Sequence, residues 1–516
     1  MLKRIVSVEQ MRSIENEADQ SGLSFDQMME NAGKALAELI QSYILPDKNC
    51  LFLIGAGNNG GDGLVAAYYT AINNPSSTIY IYFYKDRNNN LLVSRLKSLA
   101  NIQQISLARD EAYDHLKNYL ENSQIIVDAF LGIGFKPPLR EKAQAFLGFI
   151  QQSLNSQSVK PLIIACDCPS GIECNTGAVE NTVLKADISL NFIAYKYGLF
   201  LAPALEYTGH LELASAGIEP DFPALQAHQD ILLDPQAVAN ILPLRELNTN
   251  KGSFGKCLII AGSNQYVGAI GLSATAVYRC GAGLVTVVAS VDNINRMAAS
   301  VLEATWLTQE NYEKQIEELR ESYDAWLIGP GLGVSENSQH LVLISLKYLE
   351  KPILIDADAL NILAEQKEWW QLVPPHSVLT PHPGEMARLS KLSIKDIQAN
   401  RIEITREYAQ KWSCVLVLKG AHTVIANPQG QVSVLPFKDS SLAKAGTGDV
   451  LSGMIASFLT QGIAPYQAAQ LGAYVHGLSA QLADHKRSLL ASDLLSSQLL
   501  DQVFKRLEDS VLEPKP

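Results

Sequence analysis

Two acidic residues in the first half of the chain follow short apolar runs, where a parallel sheet places its ligands. Asp128 ends the run IIVD, and Asp167 ends the run LIIACD. Carboxyl groups beside glycine and proline turns can bind a hard cation or transfer protons as general acid and base. Each Asp taken alone is more often a turn or capping residue, so its chemistry must be judged with the neighbouring motifs.

A glycine-rich segment, LFLIGAGNNGGDGLVAAYYTA, precedes these acids. A strand, a tight turn and a helix in that order leave backbone N–H groups free at the helix N-terminus, where an anion can bind. Gly55, Gly57 and Gly60 have the G-x-G-x-x-G spacing. Asp86 follows the next strand, so a nicotinamide-dependent dehydrogenase is one interpretation. Residues 58–62 place polar side chains in the loop, whereas a loop that binds a pyrophosphate normally has no side chains there. A further interpretation is a tight turn that uses glycine only for its backbone freedom.

The second half has its own candidate catalytic acid, Asp449. It lies in AKAGTGDVLSGMIASFL, where the segment 446–449 leads directly into an apolar helix. Free amides at that helix N-terminus can stabilise charge on a phosphoryl group, and the carboxylate can accept a proton from an attacking hydroxyl. A helix-capping Asp is the competing interpretation.

Other polar turns in the second half support a phosphate-handling site. Lys419 ends the strand-like run LVLK, and its Lys-Gly-x-x-Thr turn suits a phosphate or a ribose. Asp356 and Asp358 end the run ILIDAD. His382 and Glu385 lie in a Pro-flanked turn, TPHPGE, and the motif GPGLG adds a glycine loop.

The elements that would position these groups alternate between short aliphatic runs and longer amphipathic stretches, which is typical of parallel sheets with crossover helices. The first half is predicted to have strands at 51–54, 78–83, 125–128 and 162–165. The second half is predicted to have strands at 257–261, 284–289, 325–328, 353–356, 377–379 and 415–419. A turn at 427–430 is predicted to join antiparallel strands 423–426 and 432–435. Both halves are therefore predicted to be α/β.

Length and composition bound the class of protein. The chain has 516 residues, of which 47% are apolar and 18% charged, so it is not a disordered chain. Its net charge of −12 argues against a dedicated nucleic-acid or anionic-membrane binder. A proline-rich stretch within 217–237 has no clear period and separates two sets of strands, which gives predicted domains 1–222 and 223–516.

The cysteine content and the apolar runs predict the compartment. Seven cysteines are an odd number spread over both halves, which favours the reduced thiols of a cytosolic protein over a disulfide framework. Cys166, Cys168 and Cys174 lie close together, but no fourth soft ligand stands at a zinc-like spacing. No secretion signal is seen in the first 19 residues, and the apolar runs are too short to cross a bilayer. The cytoplasm is the expected location.

The first half resembles the epimerase domain of the NAD(P)H-hydrate repair enzymes over roughly residues 1–220. The likeness is carried by NNGGDG, VDAFLGIGF and DCPSGIECNTG, and by ADISLNFIAYKYGLFLAP and YTGHLELASAGIE. It implies a Rossmann-like, three-layer αβα domain. It also implies that the hydrated nucleotide is bound by Asn58, Asn59, Gly60, Gly61, Asp62, Gly132, Ile133, Gly134, Phe135, Lys136, Pro137, Pro138 and Asp167.

The same resemblance implies the chemistry of that domain. Asp167 would be the acid/base residue that interconverts the R and S forms at the hydrated nicotinamide carbon. A potassium ion would be bound by Asn59, Asp128 and Ser170. The sequence departs from the family pattern at Cys168, Asn191 and Tyr197.

The second half is similar to the ribokinase-like dehydratase domain of the same enzymes. Seven motifs carry the likeness in order: KGSFGKCLIIAGS, VGAIGLSATAVYRCGAGLVTV, GPGLG, IDADALN, TPHPGE, LKGAHTVI and AGTGDVLSG. It implies a catalytic Asp449 and a hydrated-nucleotide site made of Ala269, Gly331, Gly333, His382 and Asp449. The adenine nucleotide would contact Lys419, Gly420, Ala421, His422, Thr423 and Gly448. Departures from the family pattern occur at Ser440, Ser441 and Ala445.

The two resemblances together imply a bifunctional enzyme that repairs NADH and NADPH damaged by hydration. One domain would epimerise the hydrates, NADHX and NADPHX, and the other would use ADP with Mg²⁺ to dehydrate the S form, giving AMP and phosphate. Self-association into a homo-oligomer is expected, with no nucleic-acid or membrane partner. One alternative is a ribokinase-like small-molecule kinase fused to a non-catalytic binding domain, and another is a binding or scaffolding role for the first domain.

Overall fold

The computed structural model describes residues 2–87, 91–245, 248–347, 349–484 and 486–512. The chain forms two compact units, one made of Lys3–Gln229 and the other beginning at Asp230. The predicted boundary at 222/223 lies just before this division.

The first unit is built on a parallel sheet. Its strands are β1 (Lys3–Val6), β2 (Asn49–Ile54), β3 (Ile79–Phe83), β4 (Ile102–Ser106), β5 (Ser123–Ala129), β6 (Leu162–Cys166), β7 (Ile188–Phe192), β8 (Tyr195–Lys196) and β9 (His210–Ala214). Seven of them form the sheet in the order β4-β3-β2-β5-β6-β7-β9, with all neighbours parallel. The short strands β1 and β8 pair with each other, also in parallel.

Helices cover both faces of this sheet. They are α1 (Val8–Gln20), α2 (Phe25–Gln41), α3 (Asn58–Asn73), α4 (Leu91–Leu96), α5 (Asp114–Asn122), α6 (Glu141–Ser156) and α7 (Pro223–Gln226). Successive residues of a strand point to opposite faces, so Phe52 packs in a core with α1, α2 and α3, whereas Leu53 packs in a second core with α5 and α6. This arrangement confirms the predicted three-layer αβα architecture.

The second unit has a larger sheet of the same kind. Its strands are β10 (Ile231–Leu232), β11 (Lys256–Ile260), β12 (Leu284–Ala289), β13 (Thr305–Thr308), β14 (Ala325–Ile328), β15 (Ile353–Ile355), β16 (Ser377–Leu379), β17 (Val415–Leu418), β18 (Val424–Ala426) and β19 (Val432–Val434). They lie in the order β13-β12-β11-β14-β15-β16-β17-β18-β19-β10. Pairing is parallel from β13 to β17 and antiparallel across β17-β18-β19, and β10 runs parallel to β19.

Twelve helices of the second unit lie in the described residues. They are α8 (Pro235–Ala239), α9 (Gly268–Arg279), α10 (Val291–Met297), α11 (Gln309–Ser322), α12 (Glu336–Leu346), α13 (Asp358–Ala364), α14 (Pro383–Ser390), α15 (Ile394–Ala399), α16 (Arg401–Trp412), α17 (Thr447–Thr460), α18 (Pro465–Leu482) and α19 (Ser497–Leu512). Helices α9, α17 and α18 supply much of the buried apolar surface against the sheet. Every strand predicted above, and the hairpin, is confirmed to within two residues at each end.

In each sheet, the order in which the chain adds strands reverses at one internal point. In the first unit the chain order reverses between β2 and β5, and in the second it reverses between β11 and β14. In doubly wound sheets a ligand binds in the crevice outside the carboxyl ends of the strands at such a point. The topology therefore predicts one ligand site at the corresponding edge of each sheet.

The states of the seven cysteines and the lengths of the helices test two further predictions from the sequence. Every thiol is unpaired and buried, which agrees with the prediction of a chain without a disulfide framework. In the part of the chain that the structure describes, no cluster of His, Cys, Asp and Glu side chains is suited to hold a metal, and no helix is long and apolar enough to span a bilayer.

Candidate active sites

A cavity of about 780 Å³ lies at the carboxyl edge of the first sheet. Its volume falls in the usual range of small-molecule sites, about 300 to 1,000 Å³. Its walls include most of the predicted substrate-binding residues, namely Asn58, Asn59, Asp62, Gly132, Ile133, Gly134, Phe135, Lys136, Pro138 and Asp167. Gly60, Gly61 and Pro137 lie beside them in sequence but outside the wall.

The glycine-rich loop at this cavity differs from a dinucleotide-binding loop in its partners. A Cβ on Gly55 would lie 1.8 Å from the carbonyl oxygen of Phe130, so glycine is required for close packing of β2 on β5. Arg87 Nε donates a hydrogen bond to the Gly55 carbonyl oxygen at 3.1 Å. Asp86, the acid that the dehydrogenase interpretation needs for a ribose, is exposed and lies outside the cavity wall. The Arg87 guanidinium therefore bonds the loop, and the carboxylate that a dehydrogenase would use to bind the ribose does not line the cavity.

Asp167 is held by a buried ion pair. It follows β6 directly, with a φ of 66°, and its Oδ1 accepts a hydrogen bond from Lys196 Nζ at 2.5 Å. Burial lowers the pKa of Lys196, but the charge and hydrogen bond of Asp167 outweigh it, and the net pKa is raised. Lys196 therefore stays protonated and fixes the carboxylate at the cavity.

Sequence reasoning did not single out Lys196 as a site residue. A signal was present, because Lys196 is the only lysine or arginine between Lys185 and Arg245, and it lies in the apolar run ISLNFIAYKYGLF. A buried lysine in such a run requires an acidic partner.

Two further carboxyl groups line the cavity, Glu15 from α1 and Asp62 from α3. Burial raises the pKa of Glu15, and the nearby charge of Asp167 raises it further. Burial also raises the pKa of Asp62 well above its ordinary value, with the same neighbour adding to the shift. Neither side chain accepts a hydrogen bond from any described residue. Glu15 and its neighbour Arg12 also escaped the sequence prediction.

The three predicted potassium ligands lie around one loop beside the cavity. Asp128 is fully buried, and its carboxylate accepts hydrogen bonds from the Ser170 amide at 2.7 Å and the Ser170 hydroxyl at 2.6 Å. Burial raises the pKa of Asp128 to about 6, although these hydrogen bonds lower it. Asn59 Nδ2 donates to the Leu131 carbonyl oxygen at 2.9 Å, while its buried Oδ1 has no hydrogen-bond partner among the described residues. A buried carboxylate and an orphaned amide oxygen fit the oxygen ligands that a hard cation requires.

Asp449 of the second unit lies in the first turn of α17. The helix begins after Gly446, whose φ is 88°, and no side chain caps it. Within the described residues, the amides of Gly448 and Asp449 have no hydrogen-bond acceptor, so both are free for an anion. Burial raises the pKa of Asp449 to about 7, and the charge of Asp356 adds to the shift, while Lys419 opposes it. A carboxylate with such a pKa is suited to act as a general base near neutral pH.

Lys419 connects the strand ends to this helix. Its Nζ lies 2.8 Å from Asp356 Oδ1 and 3.7 Å from Glu385 Oε2. Ser452 of α17 donates a hydrogen bond to the other oxygen of Asp356 at 2.5 Å. A Cβ on Gly448 would lie 3.8 Å from Lys419 Nζ, which brings two predicted nucleotide-binding residues together.

The predicted dehydratase substrate residues lie on neighbouring loops and helix starts. Gly331 has a φ of 59°, and a Cβ there would lie 2.7 Å from the Cβ of Ala269 in the first turn of α9, so the Gly331 loop touches that helix. The Gly333 amide donates a hydrogen bond to Asp358 Oδ2 at 2.8 Å. His382 caps the N-terminus of α14 through Nδ1, and burial lowers its pKa, so the ring is neutral.

The residues of the predicted nucleotide-binding turn, 419–423, differ in their exposure to solvent. The Gly420 amide and the Thr423 hydroxyl are hydrogen bonded at 3.3 Å across the turn, and Ala421 is exposed. The His422 ring is buried instead, with Nδ1 2.8 Å from the Leu435 carbonyl oxygen, and burial lowers its pKa to about 4. His422 secures the turn to the sheet, and its contact with a nucleotide stays a prediction.

Two family models match the chain in sequence. One, described as the YjeF-related protein N-terminus, matches residues 25–198. The other, described as NAD(P)H-hydrate dehydratase, matches residues 257–501. A crystal structure of the ADP/ATP-dependent NAD(P)H-hydrate dehydratase from Bacillus subtilis, co-crystallised with ATP and Mg²⁺, is 34% identical, with a TM-score of 0.48, and the alignment covers 54% of this chain and 98% of that one.

Curated relatives match nearly the whole chain. A bifunctional NAD(P)H-hydrate repair enzyme from Moorella thermoacetica is 35% identical over 510 residues, which cover 94% of this chain and 93% of the relative. The enzyme of the same name from Escherichia coli is 33% identical over 491 residues, which cover 93% and 90%. The one from Thermofilum pendens is 30% identical over 533 residues, which cover 99% and 98%. The chain therefore belongs to the family of bifunctional NAD(P)H-hydrate repair enzymes.

Proposed function

We propose that the chain restores NADH and NADPH from their hydrates, with epimerisation in the first unit and ADP-dependent dehydration in the second. The observation that carries this proposal is the similarity over both units, at about one third identity, to relatives that bear the bifunctional name. The placement of an acid at the switch-point edge of each sheet supports it.

In the first unit, Asp167 is the acid/base residue. The hydrated ring carbon bears a hydroxyl and is bonded to the ring nitrogen, so its configuration inverts when the hydroxyl is lost as water and water adds from the other face. Each proton transfer, to the leaving hydroxyl or from the incoming water, requires a positioned acid/base group, and Asp167 supplies one. Lys196 holds Asp167 beside the cavity that would receive the ring.

Potassium would be held in the first unit by Asn59, Asp128 and Ser170. The orphaned Oδ1 of Asn59 and the buried carboxylate of Asp128 support this set. A bound monovalent cation would offset the buried charge and fix the loop that faces the substrate. Diffraction from crystals soaked in rubidium would show a strong anomalous peak at this position, and a hydrogen-bonded water unchanged by rubidium would contradict the assignment.

In the second unit, Asp449 would take the proton from the ring hydroxyl of the S hydrate as its oxygen attacks the terminal phosphoryl group of ADP. AMP leaves, and the phosphate then leaves the ring carbon with the C–O electron pair, while loss of a proton from the adjacent carbon restores the reduced ring. The free amides of Gly448 and Asp449 would stabilise charge on the phosphoryl oxygens.

Magnesium would enter the second unit with the nucleotide phosphates. Three carboxyl groups, Asp356, Glu385 and Asp449, lie close enough to Lys419 to raise its pKa, so a metal brought in by the nucleotide would meet negative charge here. Burial raises the pKa of Glu385, and this side chain would hold the metal with the phosphates.

The test uses the full chain with a mixture of R and S hydrates, ADP and magnesium. The absorbance of the reduced nicotinamide should recover completely, with one AMP and one phosphate released for each ring repaired. A small-molecule kinase would instead release a stable phosphorylated product with no recovery. A cytoplasmic location and a homo-oligomer also remain proposals, which fractionation and light scattering would test.

A further inference from the structure

Helix α1 turns its polar face toward the first-unit cavity. Glu15 and Asn16 follow Arg12 by three and four residues, so they lie on the same side of the helix as Arg12, and all three line the cavity. The adjoining face, with Met11 and Ile14, packs in the core. A helix that lies outside the residues matched by the family model thus contributes a wall of the candidate active site.

Two contacts fix the position of α1 relative to the Asp167–Lys196 ion pair, and a capping box fixes where the helix begins. Strand β1 pairs with β8 so that Val6 lies opposite Lys196. Ser7 and Gln10 form a capping box at the start of α1. The Val8 amide donates a hydrogen bond to Asn175 Oδ1 at 2.8 Å, which ties the helix to the loop that follows Asp167. These contacts hold Glu15 at a set place beside the cavity.

The proposed epimerisation needs more than one proton-transfer group. Water leaves from one face of the ring and adds to the other, so the group that protonates the leaving hydroxyl cannot also deprotonate the incoming water on the opposite face. A second group is needed only if the first unit has the proposed function. Asp167 supplies one such group, and the structure must supply the second.

We propose that Glu15 is the second acid/base residue of the first-unit site, acting on the ring face opposite Asp167. When one carboxyl group donates its proton, the C–O bond breaks, water departs with the electron pair, and the ring nitrogen lone pair forms a C=N⁺ bond. Water then adds to the other face, the electron pair returns to nitrogen, and the second carboxylate takes the proton. The roles exchange in the reverse direction, so no other reactant is consumed.

The environment of Glu15 suits this role. Its carboxyl group interacts electrostatically with Arg12 on its own helix, Asp167 after β6 and Lys196 on β8, and Asp62 on α3 is also within reach of its charge. Burial and the charge of Asp167 raise its pKa, whereas Lys196 and Arg12 lower it. Asp167 is bonded to Lys196, but Glu15 accepts no hydrogen bond from a described residue and is free to bond the substrate. Two carboxyl groups in such different surroundings are typical of an acid/base pair.

The test compares Glu15→Gln, Glu15→Asp and Asp62→Asn in the full chain with the purified R hydrate as substrate. Glu15→Gln keeps the size of the side chain and removes its proton-transfer capacity, so R-to-S conversion should fall at least about a hundredfold. The pH profile of the remaining activity should lose one limb, which a purely structural change would not cause. Glu15→Asp should retain more activity than Glu15→Gln, because it keeps the carboxyl group.

Two internal controls make the outcome decisive. Glu17→Gln, on the exposed face of the same helix, should leave conversion unchanged, and ADP-driven consumption of the S hydrate should be unchanged in every variant. Conversion by Glu15→Gln at the wild-type rate, or the loss of a pH limb in Asp62→Asn alone, would overturn the inference while leaving the proposed function intact. Failure of the wild-type chain to convert the R hydrate would overturn both.

Discussion

Asp449 shows how burial prepares a carboxyl group for proton abstraction. Its neighbours Asp356 and Lys419 act in opposite directions, and the desolvation of the site decides the result, a pKa raised to about 7. The structure gives Asp449 no capping hydrogen bond, so the role of a helix cap is not supported by its contacts.

The substitution Asp449→Asn tests that role directly. The amide keeps the shape of the side chain and removes the base, so dehydration of the S hydrate should slow at least about a hundredfold. ADP binding and epimerisation of the R hydrate should persist. Steady-state rates for both reactions check this, and near-normal dehydration would show that the base is another group.

The pH dependence of dehydration follows from the same pKa. Below pH about 7 the Asp449 carboxylate becomes protonated and can no longer accept a proton, so kcat/KM for the S hydrate should fall about tenfold for each pH unit. Above that pH the base is ionised and the rate should level off. A rate profile measured with limiting S hydrate tests this, and a flat profile between pH 5 and 8 would contradict it.

Lys196 offers a test of the buried ion pair in the first unit. Removing one partner of a buried pair leaves the other uncompensated, which typically costs about 3 to 5 kcal/mol. Lys196→Met should therefore lower the unfolding temperature of the first unit and abolish epimerisation. Adding Asp167→Asn removes the isolated charge, so the double variant should regain stability without activity. Calorimetry and R-hydrate turnover separate the two effects.

Among individual residues, the sequence predicted the site residues that lie in local motifs. It did not predict those that reach the site through contacts between segments far apart in the chain. Asp167 and Asp449 stand beside glycine or proline turns that mark a site. Glu15 is brought to the site by the pairing of β1 with β8, and Lys196 by its ion pair with Asp167, both contacts between separate segments of the chain. No local pattern encodes that pairing.

Among the elements, α17 depends on how it begins. Gly446 has a φ of 88°, and a Cβ there would lie 2.7 Å from Leu272 Cδ1. Gly462, just beyond the other end of the helix, has a φ of 82° and nothing within 4 Å of such a Cβ. The two glycines share the backbone strain, but only Gly446 also has a close neighbour.

This pair gives a matched prediction. Gly462→Ala should lower stability by about 1 kcal/mol through strain alone and leave dehydration unchanged. Gly446→Ala should lower stability further and slow dehydration, because the collision displaces the first turn of α17 with its free amides. Unfolding temperatures and S-hydrate turnover measure both effects, and equal turnover in the two variants would contradict the role of that turn.

The strands that sequence analysis found are those with continuous aliphatic character. Most of the strands that it missed carry polar residues: β4 has the pair Gln103 and Gln104 at an edge of its sheet, and β7 contains Asn191. Their pairing depends on the neighbouring strand rather than on local propensity. The aliphatic strands on either side of each switch point were thus predictable, whereas the polar strands and the order of the strands in each sheet were not.

The whole molecule places two reactions on one chain in separate compact units. If the S hydrate passes between them through solution, two singly inactive chains should complement each other. Asp167→Asn alone should restore only the S fraction of a mixed hydrate, and Asp449→Asn alone should restore none. An equimolar mixture should restore all of it, as the absorbance of the reduced nicotinamide would report. Recovery limited to the S fraction in the mixture would mean that the intermediate is not released.

Because every thiol is buried, the reactivity of the cysteines reports how often the structure around each of them opens. Four cysteines lie in the first unit, at 50, 166, 168 and 174, and three in the second, at 257, 280 and 414. An alkylating reagent can reach them only when the surrounding structure opens, so the labelling rate measures the free energy of that opening. Peptide mass analysis would assign each label to its unit. Ligands that tighten one unit would slow the labelling of its own cysteines alone, which reads out nucleotide and hydrate binding without any added probe.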